Sequence, residues 1–243
     1  MSALGHYIEE EGIATVAISL IRPQTENTKP PRALWVPFEL GRPFGPPSDP
    51  AFQKRVILAA LRMLDEGGGP LRIEDFPEDD PREQPDPGWG VPIAAGPVAD
   101  GSVGAVADAF ETELARLAEA YDRSVTRRGR TTVGLLGLPI AAAGSYVAAW
   151  LRGNEPASPV VDMSPPLALR FAIDDLKAYC LEAGLADPGR PSSRQLGDWL
   201  WNETAAGKAI FALRRANLDA ADDRLKLIAS NFMVPAVRAL AAG

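Results

Sequence analysis

Ile13 to Leu20, reading IATVAISL, is almost wholly apolar and rich in β-branched residues. Such side chains are stiff at χ1 and suit a pleated strand. Because the run is continuous rather than alternating, it predicts a strand of a parallel sheet covered on both faces. This run opens the stretch Gly12 to Pro47, GIATVAISLIRPQTENTKPPRALWVPFELGRPFGPP, around which the rest of the chain is read.

Upstream, Leu4, Tyr7 and Ile8 fall at i, i+3 and i+4, which predicts a short helix over Ala3–Glu11 with Gly12 as its cap. Downstream, Pro30 and Pro31 keep the connecting segment out of helix. Ala33 to Phe38, ALWVPF, is a second strand candidate, and Pro37 marks it as an edge or a strand end. The loop Glu39–Pro47 follows. Ser48 is positioned to cap a helix with Pro50 in its first turn, carrying Phe52, Val56, Ala59, Ala60 and Met63 at helical spacing and ending at Gly67. Two strands alone are marginal, so this part needs further strands, the rest of the chain or another subunit.

Arg72 to Asp100 changes character. It contains IEDFPEDDPREQPDPGWG, acidic and proline-rich, with too little apolar content to fold alone. It reads as a linker or surface arm, docked onto a neighbour by Trp89. Beyond it the pattern is helical. Val103, Val106, Phe110, Leu114, Leu117 and Tyr121 form one stripe over 102–127. Further helices are expected over Pro139–Arg152, from a Ser164 cap to Gly184, from a Ser193 cap to about Leu218, and after Asp222 up to Pro235. The expectation is therefore a small, partly parallel α/β sheet fragment over 1–70, an arm over 71–101 and an all-α helical bundle over 102–243, mostly helical overall.

A net charge of −7 argues against a nucleic-acid protein, which needs a basic face to displace counterions. Arg127, Arg128 and Arg130 cluster, but at a helix end, where cations complement the dipole. One cysteine, Cys180, permits no intrachain disulfide and fits a cytoplasmic location. The segment MSALGHYIEEEG has no basic n-region and does not read as a signal peptide. Thr131 to Leu151 is uncharged and long enough to span a bilayer, but its glycines, Pro139 and many alanines favour a buried turn and a helix, so no membrane partner is expected.

Most catalytic constellations are missing. His6 is the single histidine, there is no GxSxG elbow, and no Walker A or HExxH motif is present, so neither a cofactor nor a metal is expected. Gly67-Gly68-Gly69 follows a helix rather than a strand and cannot act as a phosphate loop. Asp79, Asp80 and Asp86 lack the spacing of a calcium loop. Cys180 lies late in a helix, where the dipole opposes a thiolate, and reads as core. Trp150, Trp199, Trp201 and Phe211 could line a bundle pocket, although helical stripes usually make core. The strongest candidates are Arg22, Lys29, Arg32, Glu39 and Arg42, concentrated beyond two strand ends, where open α/β sheets hold ligands. Arg32 or Arg42 could grip a carboxylate bidentately; equally, Arg42 could pair with Glu39 and fix the loop.

Three motifs in order, GIATVAIS, KPPRAL and FELGRPFGPP, resemble the selenoprotein B family of glycine, sarcosine, betaine and D-proline reductase subunits. The likeness covers about Leu4 to Leu64, roughly a quarter of the chain. It implies reductive C–N bond cleavage by a selenocysteine or cysteine near the start of the helix before the GIxTV strand. Here the corresponding segment, Met1 to His6, holds no cysteine, and Cys180 lies outside the likeness. The resemblance therefore implies an oxidoreductase relative without its own redox thiol. Such a relative would bind a small carboxylate-bearing molecule or work with a thiol-bearing protein partner. The alternative is a non-catalytic scaffold whose sheet and bundle pair with another subunit, or a homo-oligomer.

Overall fold

Three short strands, β1 (Ala17–Ser19), β2 (Arg32–Trp35) and β3 (Arg72–Asp75), form a parallel sheet in that order. Ala17 lies opposite Ala33, and Arg32 opposite Arg72. The structure, a computed structural model, describes residues 2–65, 71–92, 102–186 and 189–241. It divides into two units, Met1–Gln84 and Pro85–Gly243. The expected order, an α/β sheet fragment followed by a helical bundle, is what forms.

In the first unit, α1 (Ser2–Glu10) precedes β1, α2 (Arg22–Thr28) links β1 to β2, and α3 (Pro50–Asp65) links β2 to β3. The β1 strand is shorter than its apolar run, and Ile13 is 62% exposed. The segment read as a non-helical loop contains α2. Pro23 sits in its first turn, where a missing N–H costs nothing. Thr25 turns its hydroxyl to the Ile21 carbonyl at 2.9 Å, and Lys29 ends the helix at φ +46 before Pro30 and Pro31. The prolines stop the helix rather than prevent it. At α3 the cap falls one residue later than expected, since the Asp49 carboxylate accepts the Phe52 amide at 3.0 Å.

The expected arm boundary at 71 also shifts. Arg72–Asp75 is the third strand, and the Phe76 amide bonds the Trp35 carbonyl at 2.8 Å. Its charged composition is tolerated because the backbone, not the side chains, makes the ladder. Phe76 then enters the unit's core with Leu34, Val36, Phe38, Phe52, Val56, Ala60 and Met63. Phe38, Phe52 and Phe76 meet edge to face at centroid distances of 5.5–5.9 Å, an arrangement favoured by the ring quadrupoles.

The GRPFGPP loop folds over this aromatic trio. Gly45 has φ +81, and a Cβ there would come within 2.5 Å of the Phe52 ring. Gly41 has φ +92 but open space around it. Gly41→Ala is therefore expected to cost about 1 kcal/mol in backbone strain, and Gly45→Ala about 1–3 kcal/mol more from overpacking. Urea denaturation of the two variants checks this; equal losses would remove the steric part.

In the second unit the helices are α4 (Val103–Arg128), α5 (Ile140–Leu151), α6 (Pro165–Gly184), α7 (Ser193–Asp198), α8 (Ala205–Asn217), α9 (Asp223–Asn231) and α10 (Ala236–Ala241). The expected fourth helix is interrupted by a π-helical turn, Trp199–Glu203, and its cap is Ser192, whose hydroxyl accepts the Gln195 amide. Phe110, Leu114 and Leu117 of α4 share one core with Val147, Leu169, Ile173, Leu176, Ile210 and Leu213. A Cβ on Gly144 would meet the Leu114 side chain at 2.5 Å, so α4 and α5 cross closely there. No helix among the described residues is long and apolar enough to cross a membrane. Thr131 to Leu151 is instead a loop followed by α5.

Within this unit the expected arm is anchored at Asp86–Trp89, and its residues 93–101 lie outside the described residues. The Trp89 indole N–H donates to the Gly184 carbonyl at 2.9 Å, and its ring meets Trp199 edge-on at 6.2 Å. Asp86 accepts the Arg190 and Gly88 amides and exchanges backbone–side-chain bonds with Gln195. The triple glycine Gly67–Gly69 lies outside the described residues.

Candidate functional site

The five candidate residues separate toward opposite ends of the sheet. Arg32 and Lys29 stand at the amino ends of the strands. Arg22, Glu39 and Arg42 lie beyond the carboxyl ends. The sequence placed them together because strand direction does not appear in a list of charged residues.

At the carboxyl end Arg22 makes two ion pairs and a ring contact. Its Nε bonds Glu26 at 2.8 Å, its Nη1 bonds Asp75, and the guanidinium lies 5.3 Å from the Trp35 ring centroid. It ties α2, β2 and β3 together. Glu39 and Arg42 are partly exposed and approach only to 3.8 Å, an ion pair without a hydrogen bond. Their backbones make the turn, with the Arg42 amide bonding the Glu39 carbonyl at 3.0 Å.

At the amino end α1 folds back over the strands. The His6 Nε2–H donates to the Lys29 carbonyl at 2.7 Å, and Gly5 permits a close approach, since a Cβ there would lie 3.2 Å from Pro31 and from Thr15. Glu9 accepts the Thr15 amide at 2.8 Å, the Thr15 hydroxyl at 2.9 Å and Arg32 Nη1 at 2.6 Å. Burial pushes the Glu9 carboxyl up, but these donors outweigh it and hold it below the ordinary carboxylate range. Beside this knot is a cleft of about 200 Å³ lined by Leu4, Ile8, Thr15, Val16, Pro31 and Arg32. Arg32 thus lines a cleft. The Glu9 contact uses one end of its fork, and a guanidinium carries five donors.

Glu9, Thr15 and the α1 wall were not singled out from the sequence. The available signal was the Leu4/Ile8 pair with Gly5 between, small enough for close packing. Lys29 contributes its carbonyl to α1, while its side chain is exposed.

The other weighed groups have structural roles. Cys180 is fully buried, and burial pushes its thiol far up, with Glu113 adding to the effect, so it presents no thiolate. Trp199 and Trp201 are 1% and 8% exposed and belong to the core of the helical unit. Asp80 caps the 3₁₀ turn Pro81–Glu83 through the Arg82 amide. No group of three or more metal-ligating side chains occurs among the described residues. No family model, curated protein or solved structure matches the chain.

Proposed function

We propose that the chain is a selenoprotein-B-like relative of the C–N-cleaving reductases that binds a small carboxylate-bearing molecule beside Arg32. The Cys180 thiol is buried in the helical core, and any reduction draws on a thiol-bearing partner or soluble thiol in a reducing, cytoplasmic setting. The observation that carries this reading is the α1-roofed cleft, in which Arg32 keeps donors beyond its Glu9 contact. A bidentate guanidinium–carboxylate contact in a half-buried site is strong and selective.

Titration calorimetry with glycine, sarcosine, betaine and D-proline tests it. At least one is expected to bind, with Arg32→Gln weakening it by about ten-fold or more. Leu4→Trp, which fills the cleft without touching the Glu9 contact, is expected to block binding. Arg42→Ala, at the other end of the sheet, is expected to leave it unchanged. No heat from any of the four at about 10 mM, or full binding by Arg32→Gln with native circular dichroism, would sink this reading.

A second reading has its own support. The described sheet has two unpaired edges, and α3 exposes Ile57, Leu58 and Leu61 at 39–48%. Open edges and an apolar helix face suit a scaffold joined to another subunit or copy. Light scattering decides: a monomer that stays monomeric across concentrations, with no co-purifying chain, counts against it.

A further inference from the structure

We propose that the helical unit carries a separate binding site for an organic acid with an apolar body, in the cleft between α6 and α9. The cleft holds about 270 Å³, near the lower end for small-ligand sites. Its apolar side is built from Leu167, Leu227, Ile228 and Phe232, and its cations are Arg170 and Arg224. Leu227 is 56% exposed and Phe232 39%, so large apolar groups surround the two guanidinium groups at the surface.

The positive charge there is not consumed internally. Arg170 stacks over Phe232, its guanidinium carbon 3.8 Å from the ring centroid, which orients the fork as cation–π contacts do. Its Nε has no hydrogen-bond partner and approaches Asp174 only to 3.7 Å. Asp174 is itself neutralised by Lys177 at 2.6 Å, and Lys177 also donates to the Phe232 carbonyl at 3.2 Å. Asp222, at the start of α9, gives its carboxylate to the Arg224 and Leu225 amides. No ion pair is made by the Arg224 side chain among the described residues. Ser164, also on the lining, caps no amide of α6.

The two halves of the cleft select the ligand class together. Inorganic phosphate would use the cations but leave the leucines and Phe232 wet. A neutral hydrocarbon would cover the apolar wall and strand the guanidinium groups. A carboxylate on an aliphatic or aromatic body satisfies both, with charge-assisted bonds at one end and apolar burial at the other.

Calorimetry with octanoate and 4-phenylbutyrate tests this, with acetate and 1-octanol as probes of each half alone. One of the two acids is expected to bind at least about ten-fold more tightly than acetate or octanol. Arg224→Gln, an exposed side chain with no ion pair to lose, is expected to weaken that acid by about ten-fold. Arg170→Gln should do the same and release Phe232, and Leu227→Glu should abolish binding. Leu4→Trp should change nothing, which separates this site from the cleft beside Arg32. Silence of both acids at about 1 mM, equal binding of octanoate and octanol, or unchanged binding by Arg224→Gln would each overturn the proposal.

Discussion

Asp175→Ala is expected to destabilise the helical unit by about 3–5 kcal/mol, a large share of what a domain of this size has. Asp175 lies on α6 and is 1% exposed. Its Oδ1 accepts the amides of Gly134 and Leu135, each at 2.8 Å, and its Oδ2 accepts that of Leu136 at 2.9 Å. Three successive N–H groups converging on one anion form a nest, made possible here by Gly134 at φ +134. Two turns along the same face of α6, Glu182 accepts the Thr132 amide and hydroxyl at 2.8 Å. Burial pushes Glu182 up, but the Thr132 and Thr131 donors and Arg128 outweigh it and hold it below the ordinary range. The two carboxylates thus supply acceptors to a loop that has no ladder of its own. Removing Asp175 leaves amides beside buried Leu136 without acceptors, and each costs about 1–3 kcal/mol unless water reaches it. Asp175→Asn keeps one oxygen and should lose about half as much, because its amide group would face the Leu136 N–H. Urea denaturation followed by tryptophan fluorescence gives the numbers. An Asp175→Ala protein within about 1 kcal/mol of the parent would show that the nest is dispensable.

That loop also shows where sequence reading stops. The α4 stripe of Phe110, Leu114 and Leu117 was legible because each residue's role is set by its neighbours three and four positions away. Asp175 was not, since its partners are backbone amides some forty residues earlier, and an amide leaves no mark on composition. The same blindness hid β3. Arg-Ile-Glu-Asp reads as part of an acidic arm, yet it is a strand because β2 offers it a parallel edge. In the candidate site, Arg32 was legible as a cation able to hold a carboxylate. Its place at the amino end, away from Arg42, depends on where the chain crosses back, and the α2 turn that sets this was read as loop. Glu9 could not be chosen among the three consecutive glutamates Glu9, Glu10 and Glu11 until α1 folded over Thr15.

Gly207→Ala should reverse the usual sign of a glycine-to-alanine change in a helix. On propensity alone alanine gains about 1 kcal/mol in a helix interior, and Gly207 has an ordinary negative φ. Yet a Cβ at Gly207 would stand 2.2 Å from the Leu200 carbonyl oxygen and 3.1 Å from the Trp201 Cα. Both obstacles are backbone, and neither can turn aside as a side chain could. The Leu200 oxygen is further held by the Thr204 hydroxyl at 2.6 Å, and that same hydroxyl accepts the Gly207 amide at 2.9 Å. Next to it, Glu113 accepts the Ala205 and Ala206 amides at 2.7 and 2.9 Å. Burial pushes the Glu113 carboxyl up although these amides, with Lys208 and Arg116, pull it down, so the helix start is already an expensive arrangement. Relieving the clash means moving the π-helical turn away from α8 and stretching bonds on which several buried amides depend. Overpacking and lost hydrogen bonds together outweigh the propensity gain, for a net loss of about 2–4 kcal/mol. Gly104→Ala, in the first turn of α4 with nothing within 4 Å, is the control and should be neutral or stabilising. Thermal and urea melts of the pair give opposite signs if the crossing at Leu200 is as tight as the geometry requires. A stabilised Gly207→Ala protein would mean that the turn Trp199–Glu203 can yield, and that glycine is not what holds α8 against it.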